Sequence, residues 1–143
     1  QRALCLLMEE WADESIGTKS RKVLFGALSQ SQNLRTSILP TTTPDPLKIL
    51  VGSVPSEFLS MLGFGLGVGP DVVKSAQEDI KQDLEALSLL LMDKPYLVAD
   101  HPTLADFAVA GLSMLLKFPS GPYLDIPENL KGQGIPGLTD SIA

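Results

Sequence analysis

Four acidic side chains, Glu9, Glu10, Asp13 and Glu14, sit within six residues near the start of the chain. On a helix their spacing of one and four gathers them along one side, where paired carboxylates can act as acid and base or hold a cation. A solvated helix face gives the same pattern, as does a contact between subunits. Cys5 is the only cysteine. A thiol becomes a nucleophile where its pKa is lowered, and an apolar helix beside acids raises it instead, so Cys5 reads as a packing residue. His101 is the only histidine, between Asp100 and Pro102, so no second imidazole supports a metal site and the residue reads as part of a loop. Gly63, Gly65, Gly67 and Gly69 alternate. They lack the Gly-Lys-Ser/Thr of a phosphate loop and the strand that opens a dinucleotide fingerprint, so they read as bulged or flexible backbone. The residues offer no catalytic group and no metal centre.

Two further groupings have chemical content. Met8, Trp11 and Ser15 share one helix face, which suits core packing or an apolar wall beside a ligand. Thr103-Leu104-Ala105-Asp106 stands immediately before an apolar run. It reads as a capping box in its Asp form: the Thr103 hydroxyl accepts the N–H of Asp106, and the Asp106 carboxylate accepts the N–H of Thr103. The carboxylate also lies at the positive end of the helix dipole. Pro102 and Phe107 occupy the positions of a hydrophobic staple. This motif starts a helix and does no chemistry.

The elements that position these residues follow from periodicity. Leu4, Leu7, Met8, Trp11 and Ser15 predict a helix over 2–16, and a second helical stretch spans about 19–38 after an interruption at Gly17. The two form one long bent helix or two in sequence. Prolines 40, 44, 46 and 55 and the alternating glycines punctuate residues 40–70, an apolar segment that predicts short helices at about 46–52 and 55–62, packed onto the rest. Pro70 opens a helix to about Met92, with Val73, Ala76, Ile80, Leu84, Leu87 and Leu91 on one face. The stretch 104–117 is apolar nearly all round, which predicts the buried centre of a bundle, with Gly111 allowing a close helix contact. After Phe118 short apolar pieces alternate with Pro and Gly, and the end shows no cap. No strand-rich block or repeat interrupts this all-α reading.

At 143 residues the chain fits a single domain, and 44% apolar content supports a packed core. A net charge of −6 argues against nucleic acid as the main partner. The longest apolar run, Leu104 to Leu116, is interrupted by Asp106 and is too short to span a bilayer. A lone cysteine suits a reducing compartment. The opening Gln1, directly on a helical pattern, suggests a piece of something longer.

The stretch PYLVADHPTLADFAVAGLSMLLKFP resembles the central helix of glutathione S-transferase C-terminal domains, in which a loop and Ser/Thr-x-x-Asp precede an apolar helix. ALCLLMEEWADESIG is similar to the helix that follows the interdomain linker in the same family. The resemblance covers 2–38 and 71–118, and the whole pattern looks most like cyanobacterial and plastid members. It implies an all-helical bundle over residues 1–143, around a buried helix at about 104–117, with 40–70 as an insertion. It also implies a full-length homodimer, in the cytoplasm or plastid stroma, that conjugates glutathione to a small electrophile. The activating residue would lie in a thioredoxin-like domain that this sequence lacks. Met8, Trp11 and Ser15 would then line the electrophile's pocket, and the acids near Glu9 could meet the amino group of glutathione. A non-catalytic interaction module and a glutathione-dependent reductase or isomerase are alternatives on the same fold. Three features depart from the expected pattern: Ala99 stands where many members have Gly, the 40–70 segment is long, and the domain's last helices would be missing or truncated.

Overall fold

The computed structural model describes residues 1–134 and Thr139. The expected all-α architecture is present, and the extended pairing among the described residues is one antiparallel bridge between Lys117 and Gly134. The end of the chain, where the sequence shows no cap, lies outside the described residues.

The first three elements form one continuous helix. α1 (Arg2–Trp11) passes into a π-helical turn (Ala12–Gly17) and then into α2 (Thr18–Gln30), with helical dihedrals at each junction. A π turn widens the helix by one residue and changes the phase of the faces on either side. Gly17 therefore does not interrupt the helix as its residue type suggested. It is buried, and a Cβ there would lie 3.0 Å from Leu112 Cδ2, so it admits a close neighbour.

The break comes later. Ser31 turns extended and its hydroxyl accepts the N–H of Leu34 at 3.2 Å, capping the short α3 (Gln32–Ser37). The punctuated segment forms α4 (Asp45–Ser53), with Pro46 in its first turn, and α5 (Ser56–Gly65), close to the expected bounds. α4 packs on α3, and α5 on α2. Their outer faces remain open, however, and Ile49 and Met61 stay exposed although their apolarity suggested burial.

α6 (Pro70–Leu90) begins at Pro70 as expected, and buries Ala76, Ile80 and Leu87 along one stripe. α7 (Leu104–Ser113) departs from the sequence reading. It ends four residues early, and of its residues only Ala105 is fully buried. Leu104 is 52% exposed and Phe107 67% exposed. A Cβ on Gly111 would meet nothing within 4 Å, so the close contact expected there is made at Gly17 instead. The physical reason is one-sided packing. α7 rests on α1 and the π turn, and its other side has no helix against it among the described residues.

Two apolar clusters make the core. One joins Val23 and Leu34 to Ala76, Ile80, Leu116, Phe118 and Leu130. The other joins Ile16 to Leu87, Leu97 and Ala105. Leu84 touches both, so the core is continuous along α6.

Candidate functional site

The capping box at the start of α7 closes in both directions between Thr103 and Asp106. The Asp106 carboxylate accepts the Thr103 N–H at 2.8 Å and the Thr103 hydroxyl at 2.8 Å. It also does something the motif did not announce. Its second oxygen accepts the N–H of Leu97 at 2.8 Å, tying the preceding loop to the helix. Burial pushes the Asp106 carboxyl up, but the hydrogen bonds from Leu97 and Thr103 together outweigh it and hold the group below the usual carboxylate range. Pro102 and Phe107, placed for a staple, are both exposed.

A second polar site lies where the π turn crosses α6. Asp83 is 8% exposed and stands on the same stripe as Ala76, Ile80 and Leu87. Its Oδ2 accepts the Ser15 hydroxyl at 2.8 Å and the Lys19 ammonium at 2.9 Å, and Lys19 also reaches Ser15 Oγ at 2.7 Å. Sequence reasoning put Ser15 with Met8 and Trp11 but missed both its partners. A carboxylate in an apolar stripe was the available signal for Asp83, since such a group is buried with a partner or not at all.

Met8 and Trp11 are half-buried and pack against the Ile16, Leu87, Leu97 and Ala105 cluster. The structure does bring Met8, Trp11 and Ser15 to one side of the first helix, but Ser15 is turned to Asp83 rather than left open. The acids behave as a surface: Glu10, Asp13 and Glu14 are exposed, and Asp13 makes a long 4.0 Å pair with exposed Arg21. Cys5 is free and partly buried. His101 Nδ1 lies 2.7 Å from the exposed Asp100 carboxylate, and that hydrogen bond draws the Asp100 pKa down. Among the described residues no group of three or more His, Cys, Asp or Glu is placed to hold a metal ion, and no helix is long and apolar enough to cross a membrane.

Arg35 was also missed. It is buried at the end of α3, where it donates to the Leu28 carbonyl at 3.1 Å and the Val54 carbonyl at 2.7 Å, fastening α4 to the end of α2. Two cavities flank that region. One of about 440 Å³ opens between α2, α5 and α6. The other, about 240 Å³ and lined chiefly by apolar side chains, lies between α2 and the α3–α5 segment. Neither is lined by Met8, Trp11 or Ser15.

Residues 70–138 match the family described as "Glutathione S-transferase, C-terminal domain". The match takes in α6, α7 and the capping box, while the long first helix and the 40–70 segment lie before it. No curated protein and no solved structure matches the chain.

Proposed function

On the premise that this chain carries a glutathione S-transferase C-terminal domain at residues 70–138, we propose that it forms the electrophile-side wall of a glutathione-conjugating enzyme. Residues 1–69 belong to the same domain in this reading, since Ile16 packs with Leu87, and Val23 with Ala76 and Ile80. The observation that carries the proposal is the unpaired apolar surface on α1 and α7. Leu4, Leu7, Leu104 and Phe107 are all exposed on two helices that pack together. That much apolar surface suits a facing domain, subunit or apolar substrate. Met8 and Trp11, each partly exposed, contribute to the wall, and the Ser15–Asp83–Lys19 cluster fixes the helix that carries them. The parent protein works as a homodimer that binds glutathione on a thioredoxin-like domain and activates its thiol there.

The division of labour rests on chemical inventory. Thiol activation needs a donor or cation held against the sulfur, and backbone groups that fix the tripeptide. Cys5 is partly buried, His101 is paired with Asp100, and Lys19 is committed to Asp83. Glu10, Asp13 and Glu14 would repel the carboxylates of glutathione. This chain alone therefore gives no turnover when mixed with glutathione and a generic aromatic electrophile, and calorimetry detects no glutathione binding tighter than millimolar. Micromolar binding or clear turnover would place the chemistry on these residues and overturn the proposal.

A further inference from the structure

The larger cavity lies outside the wall just described. From Trp11 to Gly26 is fifteen residues of continuous helix, roughly 22 Å at the α-helical rise. Its 440 Å³ falls among the sizes of small-molecule sites, roughly 300–1,000 Å³. Close packing defines its walls. A Cβ on Gly26 would meet Val73 Cγ1 at 2.9 Å, so the glycine lets α2 and α6 close tightly at the base of the cavity. Val68 N–H bonds to the Gly63 carbonyl at 2.6 Å, with Gly67 at φ +72°, which sets the turn on the opposite side.

Charge decides what such a space accepts. The chain has 17 acids against 11 lysines and arginines, yet the described residues that line this cavity include Lys74 and no acid. The ion pairs among the described residues use Lys19, Arg21, His101 and Lys131, leaving the Lys74 ammonium without one. Two lining hydroxyls have a proton to offer as well. Ser31 Oγ accepts from Leu34 N–H, and Ser60 Oγ accepts from Gln30 at 3.5 Å, so neither O–H is spent in those bonds. Phe25 and Ser29 also line the second cavity, so they form a wall common to the two spaces, and Val23, Phe25, Val68 and Val73 give the first cavity an apolar side of its own. An ammonium with hydroxyl donors beside an apolar wall matches a carboxylate head on a hydrocarbon tail.

We infer that the cavity between α2, α5 and α6 binds an amphipathic monocarboxylate, its head at Lys74 and its tail against Phe25. Decanoate, with decanol as the uncharged control, tests this by amide NMR titration of the whole chain. Decanoate produces saturable shifts centred on Gly26, Ser60, Val68 and Lys74. Lys74→Met weakens decanoate about threefold, the measure of an exposed ion pair, and leaves decanol unchanged. Ser60→Phe, whose ring fills the space, removes binding of both. The inference is overturned by an absence of saturable shifts, by shifts centred on the open faces of α1 and α7, or by Lys74→Met weakening both probes equally.

Discussion

Replacing Asp106 with alanine lowers the unfolding free energy by about 2–4 kcal/mol and the melting temperature by about 10 °C. Loss of a helix cap alone costs about 0.5–2 kcal/mol. Asp106 does more than cap, because its other oxygen holds the N–H of Leu97, a residue only 5% exposed. Leaving such a donor unsatisfied adds about 1–3 kcal/mol. Asp106→Asn keeps one acceptor oxygen and falls between the two. The pH dependence has a definite sign. The carboxyl is held below the usual range in the folded chain, so its contribution is fully present above the unfolded-state pKa. It fades as the pH falls through the folded-state value, so the gap between the parent chain and Asp106→Ala narrows in acid. Denaturant unfolding at neutral and acid pH measures both effects; an unchanged melting temperature would remove the structural role.

Lys19→Met costs about 2–3 kcal/mol, and Lys19→Met with Asp83→Leu recovers most of that loss. The single change strips the cation from a carboxylate that is 8% exposed, leaving it the Ser15 hydroxyl. Breaking a fully buried pair costs about 3–5 kcal/mol. Lys19 has a side chain 23% exposed, which places this pair below that range. Removing both charges in favour of apolar groups spares the carboxylate its desolvation, and such replacements are often neutral or stabilising. The readout is the denaturant midpoint of the two variants. Equal losses in the single and double variants would show that Asp83 is held by something other than Lys19.

The local grammar of the sequence carried much of the fold. Pro70 opens α6, Thr103 and Asp106 close their box, and Pro46 starts a short helix, because each acts on its own turn of backbone. The misreadings concern what lies opposite. Helical spacing runs through Ser31 without a sign that its backbone turns extended there. Gly17 and Gly111 look alike in a helical pattern, yet one faces Leu112 and the other faces open space. Ser15 and Asp83 are 68 positions apart, so neither announces the other, although an acid among Ala76, Ile80 and Leu87 is itself a signal. An all-round apolar helix reads as buried only when partners surround it, and α7 has them on one side.

That open side makes the α1–α7 surface the place to test the account. Trp11 is the only tryptophan, so its indole N–H gives one unambiguous NMR signal on the proposed wall. The titrant is 1,3-dinitrobenzene, an aromatic with the shape of a generic conjugation substrate and no leaving group. The account predicts a saturable shift of that indole signal with weak affinity, since half a pocket buries less of the ligand, and no shift with glutathione alone. An indole signal unmoved by the aromatic at saturating concentration, or moved by glutathione alone, would contradict it.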